Sequence, residues 1–444
     1  MFGTGLGHYI PVVVYLGFWV ASIVSLAKEP RWGFYYMLPF LPYRTLRNRI
    51  LVYPLGAYML TILLLCVIAG ALLRGKRLPK SKMYLIWLIF GIYTYVSLWV
   101  GVVLKGAPIP LWQNAVNFAT WKGYMIIPAV FVAAGLVIED RKAIRTTILI
   151  SAIALLLVDR SCIFESMTRT WSSFSESKRF DGPLAYGPNQ TAAFLVQFAM
   201  LFWGLLEFVT RIKLKIVGYA IVAATLFAMM YEFSRAGYIA TIFAVLVLGL
   251  IKDRKLLLVL AVFLVTWQTV VPTAVRERVK MTDNDGHLDA SSQERIDLWE
   301  NAKKAIARSP IVGQGFATFQ LGEHVDNLED THNYYVKVMV ETGILGLAMF
   351  FYLLQQMLAT SYSLYKRATD PLYRGLGLGL LLATCACLIS NFFGDRWTYL
   401  EIMGLLWVQF AAAIRALEQP TEESTLQPVE AETAKGANPY LVYH

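Results

Sequence analysis

Runs of about 16 to 25 nearly uncharged residues recur from end to end of this chain, and that repetition limits what it can fold into more than any other feature. A helical run of that length can cross the roughly 30 Å hydrocarbon core of a bilayer. The 444 residues are 57% hydrophobic, with a mean hydropathy of +0.52. Ordinary soluble domains are about 45–50% apolar and interrupt their apolar runs with charge every few residues. The pattern predicts an all-α polytopic membrane protein. The first run has no basic start and no small-residue cleavage site, and further runs follow it, so it is expected to stay as a span.

About twelve spans are predicted: 9–27, 51–73, 83–104, 123–138, 143–158, 189–210, 212–231, 236–251, 256–272, 333–359, 373–392 and 398–417. Connections 74–82, 211–215, 252–255 and 366–374 are rich in Lys and Arg, and strict alternation puts them on one side. The positive-inside rule makes that side cytoplasmic and, with an even number of spans, both termini with it. The expected parts are N-terminal helices over 1–158, a second helical region over 159–417 and a polar, disordered cytoplasmic tail over 418–444. Residues 28–50 disagree, because alternation places Lys28, Arg31, Arg44, Arg47 and Arg49 outside. Either residues 32–43 form a short or re-entrant pass, which would move the N-terminus outside, or external arginines have a task there. The second reading is preferred.

Two long connections, 159–188 and 273–332, are expected on the extracytoplasmic side. Within the longer one, residues 291–310 read as a helix, with Ser291 and Glu294 as a capping box and Pro310 as the stop. Arg295, Trp299, Ala302 and Ile306 share one stripe of it. Gly313-Gln314-Gly315 reads as a tight turn, far too little for a phosphate loop. Residues 282–290 resemble a calcium loop, but Met281 and Ser292 stand where the first and last acidic ligands belong, so a solvated loop and no metal are expected. Of the four cysteines, Cys66, Cys385 and Cys387 lie in apolar runs and Cys162 in a loop, which offers no disulfide framework. The net charge of +10 favours anionic lipid or phosphate partners; no compact basic domain exists to hold nucleic acid.

Ionisable residues gather at the expected outer ends of the spans. His332 stands where the chain re-enters the membrane, followed by Asn333, and Lys337 and Glu341 lie four apart on the same helix, where they can pair. His287 and His324, by contrast, sit among acidic residues and read as solvated. Glu232 and Arg235, then Lys178, Arg179 and Asp181, then Asp395 and Arg396 fall at the same level. An ion deep in a bilayer costs roughly 2.5–3.5 kcal/mol on insertion scales, and such residues usually mark function.

The segments RFDGPLAYGPN (179–189), FSRAG (233–237), RIDLWENA with SPIVGQGFATF (295–319) and THNYYVKVMVETGILG (331–346) resemble the O-antigen ligase and polymerase superfamily of bacterial inner-membrane glycosyltransferases. The resemblance implies a GT-C-like helical fold and transfer of a glycan from undecaprenyl pyrophosphate to an acceptor hydroxyl at the periplasmic face. The acceptor would be the lipid A core in a ligase, a second lipid-linked glycan in a polymerase, or a protein in related members. It also implies that His332, Arg295 and Arg235 are catalytic. Arg179 is a looser match and would bind substrate; beside the histidine, Asn333, Lys337 and Glu341 are read as substrate-binding too, with the Lys337–Glu341 pair either bracing the helix top or binding pyrophosphate. The chemistry suits these residue types, since pyrophosphate is a good leaving group that needs cations, and arginine holds it bidentately. Histidine, with a pKa near 6.5, can take the hydroxyl proton. No cofactor is expected, and the transfer is expected to be metal-independent and inverting. A multi-span transporter or flippase is the rival class, disfavoured by the long external connection and by charges held at one leaflet rather than the midplane.

Overall fold

A computed structural model describes residues 9–112, 114–167, 173–175, 179–281, 283–284, 287–288, 290–319 and 331–419, with backbone alone between 283 and 297. His324, Lys178 and the tail beyond 419 lie outside the described residues. The helices are α1 (Ile10–Ala27), α2 (Pro30–Met37), α3 (Arg44–Arg49), α4 (Met59–Leu73), α5 (Lys82–Lys105), α6 (Val116–Val137), α7 (Arg141–Met167) and α8 (Pro188–Leu206). They continue as α9 (Ile212–Met230), α10 (Arg235–Ile251), α11 (Lys255–Val270), α12 (Thr273–Lys280), α13 (Ala290–Arg308), α14 (Tyr334–Arg367), α15 (Pro371–Phe392) and α16 (Leu400–Glu418).

Every expected span has its helix. Among the described residues, ten helices are long and apolar enough to cross a membrane; α10 is apolar but shorter, and α11 bends by 105° into α12. The protein is an all-helical, polytopic membrane protein. Its most deeply buried elements are α8, α15 and α16, with 78–89% of their apolar windows inside the bundle, whereas α1 and α9 present most of their surface outward. Glycines let the central helices approach: a methyl on Gly379 would lie 2.2 Å from the Leu201 carbonyl oxygen, so α15 meets α8 backbone to backbone.

The two ends of the bundle differ in charge. At the lower end Glu139 takes ion pairs from Arg31 and Lys76, Arg141 pairs with Asp370, and Arg415 donates to the carbonyls of Gly135 and Arg77 at 2.9 and 3.1 Å. Lys252 and Arg374 both lie over the Phe208 ring. The four basic connections read from the sequence therefore meet at one end, as alternation requires.

Residues 28–50 resolve as a division of labour between the two ends. Arg31 sits at the lower end, while Arg44 donates to the Ala185 carbonyl and Arg47 pairs with Glu401 at the upper end. Between them α2 and the turn Leu38–Phe40 return along α1: Tyr36 donates to the Val14 carbonyl at 3.0 Å, and Gly33 lies against Ser25. Tyr15 stacks on Tyr53 at 4.9 Å and Gly70 lies against Ser25, so α1 and α4 run parallel with α2 antiparallel between them. Pro30–Phe40 has roughly half the length of a membrane-crossing helix. The preferred sequence reading, with both termini on one side, is corrected here. Tyr9 lies at the upper end, and Glu418, which accepts from the Lys80 amide at 2.6 Å, lies at the lower end. The short pass escaped the span count because it is too brief to read as a span and carries Arg31 near its start.

The charges in α14 are explained by a break. Gly343 has φ 65° and ψ −170°. That conformation is essentially confined to glycine, and it separates residues 334–342 from the long apolar remainder. The loop from Pro310 to Phe316 is stitched into the gap. Gln314 and Gly315 amides donate to the Val340 and Glu341 carbonyls at 2.8 and 2.9 Å, and the Ile344 amide donates to Pro310 at 2.9 Å. From α5, Tyr93 and Ser97 hydroxyls close the Thr342 and Glu341 carbonyls at 2.7 and 3.1 Å. Each such group left open in lipid would cost several kcal/mol. The Gly-Gln-Gly turn is thus what supports a discontinuous helix, and Lys337 and Glu341 belong to its short, protein-enclosed part.

Two measurements check this arrangement. Single cysteines replacing Tyr9 and Gln419 should label with an impermeant thiol reagent from opposite sides of the membrane; labelling from one side contradicts the return pass. Gly343→Ala forces a methyl to 2.2 Å from the Ile311 carbonyl oxygen. The detergent-purified variant should therefore lose about 1–3 kcal/mol of stability or more, read as a fall in Tm.

Candidate functional site

The upper end begins with how α14 is capped. Asn333 accepts from the Tyr335 and Val336 amides at 3.0 and 3.2 Å. Those bonds satisfy two of the donors that a helix start leaves open. The Asn333 side-chain oxygen therefore serves the helix, whereas the sequence pointed to substrate binding. Thr331 donates to the Asn333 carbonyl at 2.7 Å, and its own carbonyl accepts from the Trp299 indole of α13 at 3.0 Å. Between these two buried residues His332 is half-buried and held at φ 51°. Left-handed conformations are uncommon for non-glycine residues, with histidine among the enriched ones, and they persist only where the surroundings impose them. Arg295 lies on α13 one helical turn before Trp299, so the backbone brings the arginine element and the histidine element to one place.

Helix α13 packs through Leu298, Ala302, Ala305 and Ile306 onto Val336 and Val340 of α14. Ala302 and Ile306 belong to the expected stripe; Leu298 and Ala305 widen it. The Gln314 side-chain amide donates to the Ala305 carbonyl at 2.9 Å, fastening the end of α13 to the loop that fills the α14 break.

Below His332, the face of α14 bearing Lys337 and Glu341 lines a pocket of about 360 Å³. Lys337 reaches across to Asp395, in the α15–α16 connection, at 3.0 Å. Asp395 also accepts from the Trp397 and Thr398 amides at 3.0 Å each and from the Thr398 hydroxyl at 2.6 Å. Burial opposes its charge, but Lys337 and Thr398 outweigh that and hold the carboxyl below the usual range. On the opposite wall Arg47 pairs with Glu401, which is 3% exposed. Tyr186 packs on Tyr399 with ring centres 4.4 Å apart and carries the Arg44 guanidinium 3.7 Å from its ring centre. The floor is aromatic: Trp397 donates to Tyr124 at 2.7 Å, and Phe316 stacks on Tyr124.

A second group surrounds the α9–α10 corner. Arg235 opens α10, whose Ser234 cap accepts from the Gly237 amide at 3.4 Å. Phe233, at φ 53°, directs its carbonyl to Arg278 at 3.3 Å, and Arg278 also lies over Phe174. Arg179 donates to Asn189, in the first turn of α8, at 2.8 Å, and Tyr238 is within electrostatic reach of both Arg179 and Arg278. Arg235 lines a further cavity of about 470 Å³, otherwise almost wholly apolar, with Met229, Ile242, Phe263 and Trp267 in its walls. The structure thus brings Arg179, Arg235 and Arg278 together on one flank, and Lys337 and Glu341 in a different pocket.

Arg278, Arg47 and Glu401 were not singled out as site residues from the sequence. Arg278 is one of several basic residues in TAVRERVK, and nothing in that string marks it. Arg47 and Glu401 carried a usable signal, since each is an ionisable residue that the topology leaves unexplained at the edge of a span. Five non-glycine residues adopt positive φ among the described residues, Leu55, Ala185, Phe233, Ala317 and His332, and all lie at the upper end. Among the described residues no three His, Cys, Asp or Glu side chains group as metal ligands do.

Compared with known families, residues 220–351 match the O-antigen ligase family. No curated protein matches the chain.

Removing one partner of a buried ion pair leaves an uncompensated charge, typically costing about 3–5 kcal/mol. Lys337→Met and Asp395→Asn should each destabilise by that order, and the double variant by less than the sum of the two. Additive effects in such a cycle would show that the pair is not coupled.

Proposed function

We propose that this member of the O-antigen ligase and polymerase superfamily transfers a glycan from undecaprenyl pyrophosphate to the hydroxyl of an acceptor, with the lipid A core as that acceptor. The reading rests above all on His332, pinned in a left-handed conformation beside α13, with the Arg-x-x-x-Trp and Ser-Arg elements at the same end of the bundle. The acceptor oxygen attacks the anomeric carbon, the bond from that carbon to the pyrophosphate oxygen breaks, and the hydroxyl proton passes to His332. A single displacement of this kind inverts the anomeric centre. Arg235, Arg295 and Arg179, joined by Arg278, neutralise the departing pyrophosphate. Guanidinium groups suit that task because they are permanently charged and match phosphate oxygens in pairs. The apolar cavity at Arg235 suits a lipid chain whose charged end lies among the arginines.

This reading takes the basic lower end as cytoplasmic, which the positive-inside rule supports, the upper end as periplasmic and the membrane as the bacterial inner membrane. Polymerisation of lipid-linked repeats and glycosylation of a protein use the same donor and the same machinery; they differ in acceptor alone. A carrier is less well supported, because the break in α14 follows residues 334–342, close to one end of the bundle, while transporter sites lie near the midplane.

The test uses purified protein, lipid-linked glycan and lipid A core. A single addition to the core supports the ligase reading, and a ladder from donor alone moves the assignment to polymerase. His332→Asn keeps a residue that tolerates the left-handed conformation but removes the proton acceptor. It should cut transfer about 10²–10⁴-fold while leaving insertion and stability intact. Arg235→Ala should do likewise through loss of donor binding. Undiminished transfer by His332→Asn would sink the assignment.

A further inference from the structure

The pocket beneath His332 is chemically unlike the arginine flank. Its ionisable lining is Arg47 and Lys337 against Glu341, Asp395 and Glu401, an excess of carboxylate if all are ionised. Such a lining repels a pyrophosphate. Neutral sugar hydroxyls, in contrast, find both acceptors and charged donors there. The pocket volume is about 360 Å³, which falls inside the usual range for small-ligand sites. The two ion pairs that face it join segments far apart in the chain, Arg47 with Glu401 and Lys337 with Asp395, so the cavity has built walls and is not a gap between helices.

Its position matters as much as its lining. Lys337 and Glu341 lie on the first turns of the helix that His332 precedes, so the pocket they line adjoins the segment that carries the histidine. The walls also divide by origin: Phe316, Lys337 and Glu341 come from residues 220–351, whereas Arg47, Gly123 and Glu401 come from outside that region.

We propose that this pocket is the acceptor subsite, taking an uncharged, phosphate-free sugar ring whose free hydroxyl is presented to His332, and that Arg47, Gly123 and Glu401 set which acceptor fits. The proposal rests on the transferase reading above. It assigns the acceptor to the α6–α14–α16 side and the donor pyrophosphate to the α8–α10 side, with His332 between the two tasks.

Gly123 gives a clean test, because it lines the pocket and a Cβ added there meets nothing within 4 Å. Gly123→Leu fills the pocket and should raise the KM for lipid A core about tenfold or more, with the KM for lipid-linked glycan unchanged, as expected when binding contacts to one substrate are lost. Gly123→Cys should react with a maleimide, and lipid A core should slow that reaction while lipid-linked glycan alone should not. A Leu variant that keeps the acceptor KM within about twofold, or that raises the donor KM instead, overturns the proposal. So does protection of the cysteine by donor alone. Should His332→Asn retain full transfer, the transferase reading itself has failed, whatever Gly123 shows.

Discussion

The break in α14 at Gly343 is the constraint on which the upper end depends. Lys337 and Glu341 are ionisable groups within a membrane-length helix, where such groups are costly unless protein encloses them. Interrupting it turns residues 334–342 into a short, buried helix and leaves the apolar stretch after Gly343 to span the bilayer. The interruption exposes carbonyls and amides that lipid cannot satisfy, and the 310–316 loop and α5 hydroxyls satisfy them. That repair in turn fixes α13 through Gln314 and Ala305, and α13 holds the Thr331 carbonyl beside His332. One backbone discontinuity thereby positions the histidine, the pocket below it and the helix bearing Arg295.

Much of this was legible in the sequence, and the parts that were not have physical reasons. Spans are written as long apolar runs, so every one of them was found. The pass over 30–40 was set aside for the reading with both termini on one side, because so short a stretch, with an arginine at its start, gives no membrane-length signal. The gathering of ionisable residues at one end was readable, since charges within apolar runs stand out. Which of them pair was not: Lys337 has Glu341 one turn away in the sequence, and Asp395, brought by the fold from 58 residues on, is visible only in three dimensions. Gly313-Gln314-Gly315 read as an isolated turn because its partners are carbonyls on another helix. The asparagine next to the histidine read as a ligand, and its spacing from Tyr335 and Val336 also makes it an N-cap.

Backbone strain and charge coincide here. Ala185 and Phe233 hold left-handed conformations, and each turns its carbonyl to an arginine, Arg44 and Arg278. Ala317 lines the pocket and His332 stands above it. Strained residues persist when surrounding contacts over-determine them, and their confinement to one end matches a rigid upper rim on a bundle whose remaining helices are regular.

The ion pairs of the pocket also bear on how the protein is made. Arg47 is synthesised early and Lys337 much later, yet Asp395 and Glu401 follow α15, the first in the α15–α16 connection and the second in α16. Until α16 inserts, both cations lack these counter-charges, and the half-built bundle must hold them near the aqueous boundary. Assembly of the pocket therefore waits on α16, and a ribosome that stops short of residue 395 releases a chain without either counter-charge.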